Sequence, residues 1–335
     1  MSRLKNLLGL ISRPKRQVGL TASDVVFHDN KWSLLRYRAR PAGVAFKTPL
    51  LLVPSLINRH YVLDLMPGKS LVEYLVAQGH DVFCIDWGTP GDEDRFLTFD
   101  DIVDGYLGRA LRQTARLTGS LRAHVLGYCM GGTLAAIHAA RHPDRFASFT
   151  ALAAPVSFAD AGMLGGFTRS SAFDVDAMLA AYGNVPAQLM QSAFSLLRPT
   201  MPLAKAVMVI DRAANDEFLD GYLALETWGS DNVAIPGDFY RRYLAGLYRD
   251  DALVRGTFTF GGQRVSLSNI SCPTLVVTFE HDNIVPTACA APLLGLISSA
   301  DKQHLQLPGG HVGAVVSKHA AKTLWPQLSA FWAAR

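Results

Sequence analysis

The 335-residue chain predicts an α/β fold: a mostly parallel sheet covered by helices on both faces, with a cap inserted between two parts of the sheet. Three observations lead there. Continuous apolar runs, the pattern of strands buried on both faces, alternate with helix-period segments. That alternation stops at residue 156 and resumes at 266. Between the third continuous run and its helix stands a Gly-rich turn, "GYCMGG".

The elements follow in order. "KWSLLRYRAR" alternates Leu35, Tyr37 and Ala39 with Arg36, Arg38 and Arg40. That period of two predicts a half-exposed strand. "TPLLLVPSL" is a continuous run, and the helical "SLVEYLVAQG" after it ends at Gly79. "DVFCIDWG" precedes the helical "FDDIVDGYLGRALRQTARLTG"; "AHVLGYC" precedes "GTLAAIHAARH"; "FTALAAP" is a fourth run. Residues 156–265 are helical and irregular, punctuated by Pro186, Pro199, Pro202 and Pro236. They hold five of the eight methionines: Met163, Met178, Met190, Met201 and Met208. Flexible thioethers suit either an adaptable apolar surface or ordinary core filling. The rhythm then returns with "PTLVVTFEHD", the short strand and loop "HLQLPGGH", and the helix "KHAAKTLWPQLSAFWAAR" with Leu324, Trp325, Leu328 and Trp332 inward. The divisions are a basic lead-in at 1–20, a first core part at 21–155, the cap at 156–265 and a second core part at 266–335.

Composition sets the class. With 49% hydrophobic and 18% charged residues the chain is globular, and a net charge of +4 is too mild to suggest nucleic acid. No apolar run approaches the ~18 residues of a membrane span. None of the four cysteines forms a CxxC pair, so no metal site is expected. Cys84, Cys272 and Cys289 read as buried, inert thiols, which fits a reduced, cytoplasmic setting. The N-terminus carries Leu4, Leu7, Leu8 and Ile11 at helical spacing among basic residues. It reads as an amphipathic surface helix or as a frayed lead-in, and not as a signal peptide.

The Gly-rich turn carries the chemistry. A nucleophile held on a sharp strand-to-helix turn needs neighbours without bulk two residues before and after, and Gly127 and Gly131 flank Cys129 in that way. Gly132 lets the following helix approach the sheet. That helix aims its free N–H groups and positive dipole end at Cys129, which favours a thiolate. The ordinary alternative is a Gly-flanked cysteine at a strand end. The partners favour the nucleophile. In α/β-hydrolases the order is nucleophile, acid, histidine, the last two after late strands. Asp282 stands just past "VVTFEH", and His311 stands in the Gly-rich loop before the final helix. Glu280 is the alternative acid. The backbone N–H of Met130 is the expected first oxyanion donor. The second is Ile57 or Asn58, in the loop after the first continuous strand.

These residues resemble the lipase-like box of polyhydroxyalkanoate synthases, which carry cysteine at this point. "INRHYVLDLMPGKSLVEYLVAQGHDVFCIDWG", "ETWGSDNVAIPGDFYRRYLAGLYRDDALVRG", "DNIVP" and "GGHVGAVVS" extend the likeness over most of the chain. It is nearest the short, class III-type subunits that work with a partner. The resemblance implies transfer of (R)-3-hydroxyacyl groups from coenzyme A thioesters into polyester, through a thioester on Cys129. It implies no cofactor beyond coenzyme A carried by the substrate. It also implies a homodimer or hetero-oligomer with a second synthase subunit, and a polyester granule surface as a further partner. The family has histidine directly after the acid, where this chain has Asn283, with His281 on the other side. Trp228 and Asp231 match a W-x-x-D signature and read as dimer or channel organisers, or as plain packing. A polyester depolymerase or acyl-CoA thioesterase with the same residues is the competing reading. A non-catalytic granule-binding protein fits less well, because the Cys129, Asp282 and His311 set is intact.

Overall fold

The computed structural model describes residues 16–197 and 201–335. The apolar positions of the lead-in, Leu4 to Ile11, lie outside the described residues; its Arg16 pairs with Asp220.

Eight strands form one sheet in the order β1-β2-β4-β3-β5-β6-β9-β10. They are β1 (Ser23–Asp29), β2 (Trp32–Tyr37), β3 (Leu50–Val53), β4 (Val82–Asp86), β5 (Ala123–Tyr128), β6 (Phe146–Leu152), β9 (Thr274–Phe279) and β10 (Lys302–Leu307). The β1/β2 and β2/β4 pairs are antiparallel and the rest are parallel. This is the α/β-hydrolase fold. β1 was not legible in the sequence: in "SDVVFHD" every side chain is exposed or half-buried, so no apolar alternation marks it.

The continuous runs are strands buried on both sides. Leu50 and Leu52 join one core layer, while Leu51 and Val53 join the other. On the first face lie α1 (Leu71–Gln78) and, at the chain's end, α10 (Lys318–Ala333). The Ser70 hydroxyl caps α1 by accepting from the Glu73 N–H, and Gly79 ends it in a left-handed conformation. In α10 the predicted inward residues Leu324, Trp325, Leu328 and Trp332 are all buried.

On the opposite face lie α2 (Gly108–Thr118) and α3 (Met130–Arg141). The helix expected over "FDDIVDGYLGRALRQTARLTG" begins as a π-turn over Asp101–Leu107 before continuing as α2. π-turns are rare and often sit at functional sites.

Between β6 and β9 comes the inserted helical cap. It contains α4 (Gly162–Arg169), α5 (Val175–Tyr182), α6 (Ala187–Leu196), α7 (Met201–Arg212), α8 (Asp216–Gly229) and α9 (Gly237–Tyr243). A second π-turn, Leu244–Arg249, and a small β7–β8 hairpin, Thr259–Phe260 with Gln263–Arg264, follow. The cap methionines do not share one surface: Met190 is buried, while Met163 and Met208 are exposed. Among the described residues no helix is long and apolar enough to cross a membrane.

Candidate active site

Cys129 occupies the turn between β5 and α3 at φ 54° and ψ −129°, a conformation side-chain-bearing residues rarely adopt. Close packing imposes it. A Cβ on Gly131 would lie 2.2 Å from the Val53 carbonyl oxygen and 2.4 Å from that of Pro54. A Cβ on Gly127 would lie 2.3 Å from the Gly132 Cα. Glycine alone fits these positions, so the turn is held against the loop that leaves β3. The Cys129 N–H is held by the Leu152 carbonyl at 3.0 Å.

Asp282 lies in the turn just after β9, and His311 in the loop after β10. Continuation of the strand pairing brings the loops together: the His281 N–H donates to the Gly309 carbonyl at 2.9 Å, and that of Glu280 to Leu307 at 3.0 Å. Asp282 Oδ1 accepts the N–H groups of Ile284 at 2.9 Å and Val285 at 2.8 Å. That leaves Oδ2 for His311 Nδ1, at 2.7 Å. Both side chains are buried, whereas Glu280 points into solvent. The Tyr128 ring stacks on His311 with centroids 5.2 Å apart, and its hydroxyl donates to the His311 carbonyl at 3.2 Å.

Cys129 completes the cluster, close enough to the ring for its sulfur to act on the His311 charge. Burial opposes the charged imidazole. The Cys129 sulfur and then Asp282 outweigh it, and push His311 up to about 10. The ring therefore keeps its proton at neutral pH beside the sulfur. Such an arrangement can present the sulfur to an electrophilic carbon, and can give or take a proton beside it. The other thiols differ. Cys84, Cys272 and Cys289 are buried, and burial pushes Cys272 up to about 11 and Cys289 up to about 12.

Met130 follows Cys129 as the first residue of α3. The Ile57 N–H faces the Ser55 hydroxyl at 3.4 Å, and Asn58 is bridged to Asn232 through both backbone and side chain. The sequence pattern did not reveal what fastens this loop. The Val233 N–H donates to the Ile57 carbonyl at 3.1 Å, and the Trp228 indole N–H to that of Arg59 at 3.0 Å. Asp231 accepts the Tyr61 hydroxyl at 2.5 Å and pairs with Arg59 at 3.2 Å. Trp228 and Asp231 thus clamp the loop within one chain. His281 and Asn283, on either side of the acid, are both exposed.

Two further tyrosines escaped sequence reasoning. Tyr243 and Tyr248 approach closely enough for Cys129 to raise both above the ordinary phenol value, although burial is the larger cause. Tyr243 meets Phe158 edge-on with ring centroids 6.0 Å apart, and Tyr248 packs on the same ring at 4.7 Å. The π-turn after Tyr243 sets their relative placement, and spacing in "YRRYLAGLY" does not announce it.

The model of the alpha/beta hydrolase fold matches residues 48–315. That of the poly-beta-hydroxybutyrate polymerase (PhaC) N-terminus matches residues 15–75. The chain is 32% identical over 320 residues to a poly(3-hydroxyalkanoate) polymerase subunit PhaC of Haloferax mediterranei, covering 95% of this chain and 65% of that relative. It is 32% identical over 323 residues to the subunit of that name from Allochromatium vinosum, covering 95% of this chain and 90% of the relative. Among solved structures it resembles the meta-cleavage product hydrolase CumD of Pseudomonas fluorescens, with a TM-score of 0.52 and 16% identity over 90% of this chain and 94% of that one. That last likeness is one of fold.

Proposed function

The chain belongs to the poly(3-hydroxyalkanoate) polymerase (PhaC) family, and from that premise we propose that it is an acyltransferase that polymerises (R)-3-hydroxyacyl groups from coenzyme A thioesters. The observation that carries this reading is the buried His311 ring, anchored by Asp282 at 2.7 Å and close enough to Cys129 for the sulfur to act on its charge.

In this reading the Cys129 sulfur attacks the thioester carbonyl. The Met130 N–H, with a donor from Ile57 or Asn58, stabilises the oxyanion. As the intermediate collapses, coenzyme A leaves as a thiol with the His311 proton, and the acyl group stays on Cys129. The neutral ring then takes the proton of an incoming 3-hydroxyl, whose oxygen attacks the acyl-enzyme. Sulfur suits the task because thioester exchange keeps the acyl group activated for this second attack. Asp282 orients the ring or assists the hydroxyl.

Working as the short catalytic subunit type with a second subunit, and sitting on a polyester granule, belong to the same proposal. The test is to supply purified protein with (R)-3-hydroxybutyryl-CoA, alone and with a family partner subunit. Insoluble polyester accompanying coenzyme A release supports the reading. Stoichiometric free hydroxy acid under both conditions replaces it with a thioesterase.

A further inference from the structure

We infer that Asp104, His138 and His142 form a binding site for a divalent transition-metal cation of the zinc type, on the far side of α3 from Cys129. One ligand atom from each residue lies within 4.8 Å of the other two. Asp104 Oδ1 is 3.1 Å from His142 Nε2 and 3.5 Å from His138 Nδ1. With metal–ligand bonds of about 2.0–2.1 Å, the edges of a tetrahedron are about 3.3–3.4 Å long. These two separations bracket that value.

The local structure explains the meeting. His138 stands in the last turn of α3 and His142 is the residue that caps it; the His142 N–H bonds to the His138 carbonyl at 2.9 Å, and the two rings meet with centroids 4.7 Å apart. Asp104 comes from the π-turn packed beside them. His138 is 0% exposed, and its Nδ1 has no hydrogen-bond partner, a state shared with Nδ1 of His60 and His80; among the described residues only His138 of the three stands in a cluster with a second histidine and a carboxylate. Gly108 keeps the space open: a Cβ there would stand 2.9 Å from His138 Cε1 and 3.3 Å from Asp104 Oδ1. His142 and Asp104 reach the surface, so an ion can enter and keep water at a fourth position.

Two imidazoles and one carboxylate select a borderline metal such as zinc over magnesium or calcium, which prefer all-oxygen shells. Opposing charge is present. Arg145 Nη1 lies 3.5 Å from His138 Nε2, Arg112 flanks Asp104, and the Val103 carbonyl competes for the ring proton. Binding through Nδ1 places the proton on Nε2, which turns Arg145 away. The bound cation would tie the π-turn to the helix whose other end carries Cys129.

The decisive experiment titrates Zn2+ by calorimetry, and Co2+ by its visible absorption, into the full chain. The parent, Cys129→Ala, His142→Ala, Asp104→Asn, Gly108→Ala and Arg145→Ala are compared. The expected result is one ion per chain in the parent and in Cys129→Ala. His142→Ala and Asp104→Asn should weaken it by more than about 100-fold, Gly108→Ala should weaken it, and Arg145→Ala should tighten it. Thermal stabilisation by Zn2+ should follow the same order. Absence of saturable binding in the parent overturns the site. So does binding that survives His142→Ala but disappears in Cys129→Ala, since the ion then sits with Cys129, His311 and Asp282.

Discussion

Asp282 grips His311 at 2.7 Å through one carboxylate oxygen while two backbone N–H groups fix the other. The imidazole cannot turn without breaking a buried hydrogen bond, so its second nitrogen stays directed at Cys129. This geometry lets the protonated ring persist far above its ordinary range, and that has a consequence for stability. The folded value, about 10, lies above the unfolded value of 6.5. A raised imidazole stabilises the fold fully below the unfolded value, and the contribution is lost as pH rises through the folded value. The urea midpoint of the parent should therefore fall between pH 6.5 and 10, and His311→Gln should show a flatter profile. Parallel profiles would mean that the ring is not charged in the native state.

Backbone conformation at Cys129 leads to a second expectation. A non-glycine residue at φ 54° stores strain of roughly 1–3 kcal/mol. Cys129→Gly should relieve part of it and raise stability by about 1 kcal/mol in urea unfolding, set against the greater entropy of an unfolded glycine. It should also abolish acyl transfer. Cys129→Ala should be close to neutral in stability and equally inactive, and Cys129→Ser should retain little activity. In the parent, mass spectrometry after brief exposure to substrate should find the acyl adduct on the Cys129 peptide. An adduct confined to Cys84, Cys272 or Cys289 would sink the assignment.

The sheet was legible where it is doubly buried. "LLLV", "VFCID" and "TLVVTF" are continuous because each residue meets a helix layer or the neighbouring strand. β1 escaped because it lies at the sheet edge with its side chains largely in water. Cys129, Asp282 and His311 were legible because chain order and a Gly-flanked turn constrain them locally. The clamp on the oxyanion loop was not, because Tyr61 and Asp231 meet across 170 positions of chain. Asp104 and His138 are likewise joined only by the π-turn, whose residues read as an ordinary helix.

The clamp separates stability from turnover. Asp231 and Arg59 are partly exposed, and such pairs contribute under about 1 kcal/mol. Tyr61→Phe and Asp231→Asn should leave thermal unfolding nearly unchanged. If the loop presents an oxyanion donor, a shift of its backbone should lower kcat by about 10–100-fold while KM changes little. A change confined to KM would assign the clamp to substrate entry instead.

Asp282→Asn tests the mechanism most sharply, because it keeps the shape of the side chain and removes its charge. Loss of a triad carboxylate costs about 10⁴-fold in a serine enzyme, where the histidine must strip the nucleophile of its proton during attack. Here Cys129 as well as Asp282 raises the His311 ring, and a cysteine nucleophile needs less help from the acid because its thiolate can form before attack. The first acylation should then stay fast. Elongation asks more of the acid: the ring must become neutral, accept a proton from a weakly acidic hydroxyl, and be steadied while it carries charge without a thiolate beside it. Mixing enzyme with excess (R)-3-hydroxybutyryl-CoA should therefore release a burst of about one coenzyme A per active site, followed by a stall. No burst in Asp282→Asn, beside a normal burst in the parent, would return Asp282 to orienting His311 for the first attack. Full activity in Asp282→Asn with none in Glu280→Gln would transfer the role of the acid to Glu280.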